Sequence, residues 1–123
     1  MATMQSRDTR TFVSGEDLSN AQFKFVTLES DGKVDLADSA GENCIGVLIV
    51  QEENNRAVTV VMTGSTIVEA GGTVTNSGAV ATDATGHAVD ATTGDIVMGY
   101  ARESGVVNQK IEIELIQGGN ASA

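Results

Sequence analysis

The chain has 123 residues and a net charge of −10; the length fits one domain, and the acidity argues against nucleic acid, whose phosphates must be met by Lys and Arg. No apolar run reaches the ~18 residues of a membrane-spanning helix, and Met1-Ala-Thr-Met-Gln-Ser-Arg lacks the apolar centre of a secretory signal. A lone Cys44 cannot form an internal disulfide and fits a reducing cytosol.

Residues 1–19 read as a flexible, extended N-terminal arm, polar and without sustained periodicity. Arg7 and Arg10 against Asp8 leave the stretch through Ser14 one charge positive, while the remainder carries five basic and sixteen acidic residues. The arm's apolar patch is Thr11-Phe12-Val13. Arg7, Arg10, Phe12 and Val13 are therefore its candidate binding residues, with the arm ordering on a partner and Phe12 docking in a pocket.

Residues 20–117 read as a single β domain, and 118–123 as a small polar tail that frays. The aromatics are Phe12, Phe23, Phe25 and Tyr100, so the core must come from Val, Ile and Ala, which with Thr and Gly favour strands. Strands are expected over Lys24 to Leu28 and Val34 to Leu36, joined by an Asp31-Gly32 turn. Cys44 to Gln51 reads as a buried strand with Cys44 as a small hydrophobe. Val58, Val60 and Met62 alternate with Thr59 and Thr63, while Val61 breaks the alternation, so the second face is partly covered too. Gly64 permits a sharp turn into a second short strand, Ser65 to Glu69, which makes a hairpin the centre of the domain. Later strands are expected near Ala79 to Thr82, His87 to Asp90 and Ile96 to Arg102. The last, from Lys110 to Ile116, turns Ile111, Ile113 and Leu115 inward.

The two halves resemble each other. Gly41-Glu-Asn-Cys-Ile-Gly-Val47 lies over Gly94-Asp-Ile-Val-Met-Gly-Tyr100 at a spacing of 53, and Val58, Val60 and Met62 lie over Ile111, Ile113 and Leu115 at the same spacing. Asp31-Gly32-Lys33 matches Thr85-Gly86-His87 with a shift of one. Two copies are too few for a solenoid. They are expected to close against each other into one small barrel or sandwich, which also limits exposed edges. The fold class is all-β.

Catalytic chemistry is not visible. His87 is the sole histidine and reads as an exposed turn residue with no cysteine or second histidine to share a metal. Asp31, Asp83, Asp90 and Asp95 sit in turns, where aspartate bonds to nearby backbone, and none follows a calcium-loop spacing. Gly71-Gly72 and Gly118-Gly119 lack the context of phosphate loops, and Lys24, Lys33 and Lys110 lack that of a lipoyl or biotinyl carrier. No catalytic residue, cofactor or metal is expected.

Ile45-Gly46-Val47, Val58-Thr-Val-Val-Met62 with Gly64, and Ile67-Val-Glu-Ala-Gly-Gly72 carry a resemblance, continued by Gly99-Tyr-Ala101 and Ile111-Glu-Ile-Glu-Leu115. From Phe23 to Ile116 the chain resembles the small capsid cement, or head-decoration, proteins of tailed bacteriophages. That resemblance implies a non-enzymatic β protein, made in the host cytoplasm, that binds the major capsid protein on the outside of an icosahedral head. It also implies a homo-oligomer, a trimer being favoured. The competing reading is a non-enzymatic adhesion or carbohydrate-binding β module of a phage fibre or secreted assembly. Against it, Trp is absent and Tyr100 stands alone, so aromatic platforms for sugars are missing.

Overall fold

The computed structural model describes residues 5–116; residues 1–4 of the expected arm and the tail at 118–123 lie outside them. Nine strands follow in chain order: β1 Gln5–Val13, β2 Lys24–Leu28, β3 Val34–Leu36, β4 Gly46–Leu48, β5 Ala57–Glu69, β6 Ala79–Thr82, β7 Ala88–Asp90, β8 Gly99–Ala101 and β9 Lys110–Leu115. All strand pairings are antiparallel and form one sheet in the order β3-β2-β4-β5-β9-β8-β6-β7, with β1 paired to β5 off this path. The protein is all-β.

The sequence repeat is a repeat of strand register. Val47↔Val61 and Leu48↔Val60, between β4 and β5, recur 53 residues on as Tyr100↔Glu114 and Ala101↔Ile113, between β8 and β9. Val26↔Leu36, Thr27↔Asp35 and Leu28↔Val34, between β2 and β3, recur 54 residues on as Val80↔Asp90, Ala81↔Val89 and Thr82↔Ala88. Left-handed backbone recurs with them, at Phe23 and Ser77, Gly32 and Gly86, Gly41 and Gly94, and Asn55 and Asn108. Gly46 and Gly99 also match. A Cβ on either would meet a carbonyl oxygen of the neighbouring strand, that of Val61 or of Glu114.

Each half closes on itself. In the first, β1, β5, β4, β2 and β3 follow one another, and a parallel bridge from Ser14 to Val34 returns β3 to the end of β1. In the second, the C-terminal part of β5, then β9, β8, β6 and β7, closes through the bridge from Ala70 to Ala88. The hydrogen bonds Gly15 N–H to Val34 O and Gly71 N–H to Ala88 O, 2.8 and 2.9 Å, hold the two closures. The fold is thus the expected all-β small-barrel kind built from two similar halves, each closing with five strands and both sharing β5. Leu18, Val26, Val34, Leu48, Val58 and Val60 fill the first. Their equivalents Val74, Val80, Ala88, Ala101, Ile111 and Ile113 belong to the second core cluster.

Two expectations are corrected by this arrangement. Gly64 ends no hairpin: β5 runs unbroken for 13 residues, and Gly64, at φ +90°, lies inside it. Residues on its N-terminal side pair with β4, those from Gly64 onward with β9, so the glycine relieves the bend where one strand passes between barrels. Residues 5–19 of the expected arm are joined to the β domain. Gln5–Val13 is a strand of the first barrel, equivalent to the C-terminal part of β5: Phe12 faces Val58 as Val68 faces Ile111. Backbone donors and acceptors that a free arm would leave to water are paired along β5 instead.

Cys44 to Gln51 contributes only Gly46–Leu48 as strand, although Cys44 is buried as expected. Strands β2, β3 and β6 have the expected bounds, and Ile111, Ile113 and Leu115 point inward from β9. Val61 is fully buried on the face opposite Val58 and Val60, in the second barrel's cluster. There it joins Phe25 and Val47, so the outside of the first barrel is covered by the second.

Candidate interaction surfaces

The expected binding residues of β1 differ in exposure. Arg10 is exposed and lies 3.6 Å from Asp8 in an ion pair open to solvent, which contributes little to stability. Val13 is 40% exposed. Phe12 is half-buried against its own barrel, in the cluster that holds Leu18 and Val58. The β1–β5 register slips between Ser6 and Asp8, which places Arg7 at an irregularity of the strand. Arg10 and Val13 therefore remain accessible from an edge strand.

His87 is not the exposed turn residue expected. Its side chain is 17% exposed, its Nε2 lies 3.0 Å from Glu69, and its Nδ1 lies 2.8 Å from the Thr85 hydroxyl. Glu69 also faces Lys110 at 3.6 Å. This cluster ties the end of β5 to the β6–β7 turn and to β9. Asp83 caps the same turn, accepting from the amides of Thr85 and His87. The Thr85 hydroxyl beside the imidazole also lies 3.0 Å from Asp83, so these contacts order the turn.

A cleft of about 230 Å³ lies where the two barrels meet, lined by Glu16, Glu29, Asp35 and Asp38 with Leu36 and Thr85. One Asp35 oxygen is buried without a hydrogen-bond partner among the described residues. Burial, and then the charges of Glu16, Glu29, Asp31 and Asp38, hold its carboxyl above the ordinary value. The sequence pattern gives no sign of this cluster, because its members come from the leader, strand β3, two turns and a loop. No group of three or more His, Cys, Asp and Glu among the described residues is placed to hold a metal.

The remaining surface signal is apolar. Leu28, Tyr100, Val106 and Val107 are exposed along with Val13. Leu28 and Tyr100 are the informative pair, because the residues equivalent to them, Thr82 and Val47, are fully buried where the barrels meet.

No family model matches the chain, and no curated protein matches it significantly. Among solved structures, it is similar to the N base of the head fiber protein gp8.5 of bacteriophage phi29, with a TM-score of 0.72 and 16% sequence identity. The likeness covers 94% of this chain and 98% of that one. At such identity it is a likeness of fold.

Proposed function

We propose that this chain is a structural virion protein that decorates the outside of an icosahedral phage head by binding the major capsid protein. The observation that carries the reading is the fold likeness to a phage head fiber base, which runs nearly end to end in both chains. The sequence resemblance to head-decoration proteins points the same way. A role made of surface also suits the chain's chemistry: its polar clusters order turns, and its best-exposed features are an edge strand and apolar side chains. Decoration is multivalent, so contacts too weak to hold one copy suffice when many copies share a shell. The proposal includes a homo-oligomer, a trimer being favoured, and a capsid contact made in part by Arg7, Arg10 and Val13 of β1.

The test is co-sedimentation with undecorated heads of the phage that encodes the chain, followed by electron microscopy of the pelleted particles. Regular added density on the outer surface is the expected result. Protein left in the supernatant would overturn the reading. Charge reversal at Arg7 and Arg10 is preferable to deleting the leader, since deletion would remove a strand of the first barrel. Reduced pelleting of the reversed variant, with unchanged thermal unfolding, would place β1 in the contact.

A further inference from the structure

The two barrels meet head to tail, and the same contact can be made once more at each end of the chain. Within the chain the β6–β7 turn of the second barrel docks on the outside of the first. Gly86, at the tip, is buried and accepts a 2.7 Å hydrogen bond from the Phe25 amide. The Thr82 carbonyl accepts a 2.9 Å hydrogen bond from Gly41, and Thr82 itself is buried. Phe25 and Val47, beneath the turn, are fully buried.

By the repeat, the first barrel owns the same turn and the second owns the same outer face, and both are uncovered. Gly32 stands for Gly86, with the same φ of +82°, yet it is exposed and a Cβ there would meet nothing within 4 Å. Leu28 stands for Thr82 and is 49% exposed; Tyr100 stands for Val47 and is 43% exposed. Gly94 stands for Gly41. A Cβ at Gly41 would run into Asp95 of the other barrel, whereas one at Gly94 meets nothing. Each equivalent pair thus has one member occluded by the neighbouring barrel and one open. Leucine and tyrosine at the open positions are costly to leave in water.

From this we infer that the Leu28–Gly32 turn of one copy docks on the Tyr100 face of a second copy, continuing the contact between barrels from chain to chain. The Gly32 carbonyl then meets the Ala79 amide, the Gly94 amide meets the Leu28 carbonyl, and Leu28 covers Tyr100 and Val97. The two patches differ, so the contact is heterologous, and repetition closes a ring or extends a filament. It holds whether or not the chain decorates a capsid.

The test measures mass by light scattering across a concentration series, with circular dichroism to verify folding. Wild-type protein is expected above 12.7 kDa, and Leu28→Glu and Tyr100→Glu, both at exposed positions, are each expected to be monomeric. An equimolar mixture of the two variants should give a two-chain species and stop there. The Tyr100→Glu chain keeps its turn, the Leu28→Glu chain keeps its face, and only one contact remains possible. A monomeric wild type at every concentration, an oligomer indifferent to both substitutions, or a mixture that stays monomeric would each overturn the inference. A second measurement does not depend on losing a contact. With Cys44 replaced by alanine, Leu28→Cys chains should crosslink on oxidation to Val97→Cys chains and not to one another. Crosslinking among Leu28→Cys chains alone would show a symmetric contact instead.

Discussion

The Phe25 amide donates a 2.7 Å hydrogen bond to the Gly86 carbonyl, joining β2 of the first barrel to the tip of the β6–β7 hairpin in the second. This bond lies at the centre of an interface that the chain makes once, since the equivalent turn at Gly32 stands open. The pair therefore separates backbone strain from packing between barrels.

Alanine at Gly32 and at Gly86 should have very different effects. Both sites have φ +82°, where an L side chain costs about 1–2 kcal/mol. At Gly86 the new Cβ would also press on Leu36 and the Phe25 carbonyl, and overpacking adds about 1–3 kcal/mol. Urea unfolding should show Gly86→Ala less stable than Gly32→Ala by about 2 kcal/mol. Equal losses would mean that the barrels do not press on each other at this point.

A second prediction concerns Gly46 and Gly99, where the first and second barrels repeat one close approach. A Cβ at Gly99 would meet the Glu114 carbonyl, and one at Gly46 the Val61 carbonyl. Backbone in a paired strand cannot swing aside like a side-chain tip, so strands must separate or twist. Either glycine replaced by alanine should cost more than about 2 kcal/mol, at the upper end of ordinary single substitutions. A fall in thermal midpoint of less than a degree or two for either would argue that the sheet yields there.

The repeat was legible because the features that mark it are punctuation: Gly41 and Gly94, and Gly46 and Gly99, keep a spacing of 53, and Gly32 and Gly86 differ from it by one residue. Lys24–Leu28 and Lys110–Leu115 were legible through their apolar alternation. Strand β1 was not, because its partner Val58 is 46 residues beyond Phe12 and its outward residues are polar. Its counterpart in β5 is Thr66-Ile-Val-Glu-Ala-Gly71, against Arg10-Thr-Phe-Val-Ser-Gly15, so only the closing glycine is shared. Gly64 misled because left-handed backbone is the signature of a turn; here the strand uses it to change partners. The self-docking surface needed both barrels in space, since an exposed Leu28 has meaning only beside a buried Thr82.

Asp35 carries an electrostatic cost at neutral pH. Its carboxyl is held above the ordinary value by burial and by four neighbouring carboxylates, so the fold resists its ionisation. In the unfolded chain it ionises near the ordinary ~3.9. The folded state then binds more protons than the unfolded one as pH rises through this window, and stability falls. Asp35→Asn should raise stability at pH 7, because it removes a charge held among four other carboxylates. The gain should vanish below about pH 3.5, where both states are protonated. Chemical unfolding of both proteins at pH 3 and pH 7 measures it, and a gain that persists at pH 3 would have another origin.

Cys44 should make stability fall on the alkaline side. Burial, aided by the charge of Glu42, pushes its thiol up to about 12, while a hydrogen bond with Thr82 works in the opposite direction. Its amide donates to the Met98 sulfur at 3.4 Å, so the thiol sits where the barrels meet. An unfolded cysteine loses its proton near ~8.5. Between that value and about 12 the folded chain keeps a proton that the unfolded chain has lost. Stability contributed by this site is therefore complete below pH 8.5 and decreases above it, by at most about 1.4 kcal/mol per pH unit. Cys44→Ala removes this dependence at the expense of some packing. The stability difference between wild type and Cys44→Ala should thus narrow from pH 8.5 to pH 10.5. In the folded wild type the thiol should also react with a disulfide reagent only as fast as the barrels open. Parallel stability curves for the two proteins, or labelling at the rate of a free thiol, would show that the cysteine is not held between the barrels in its protonated form.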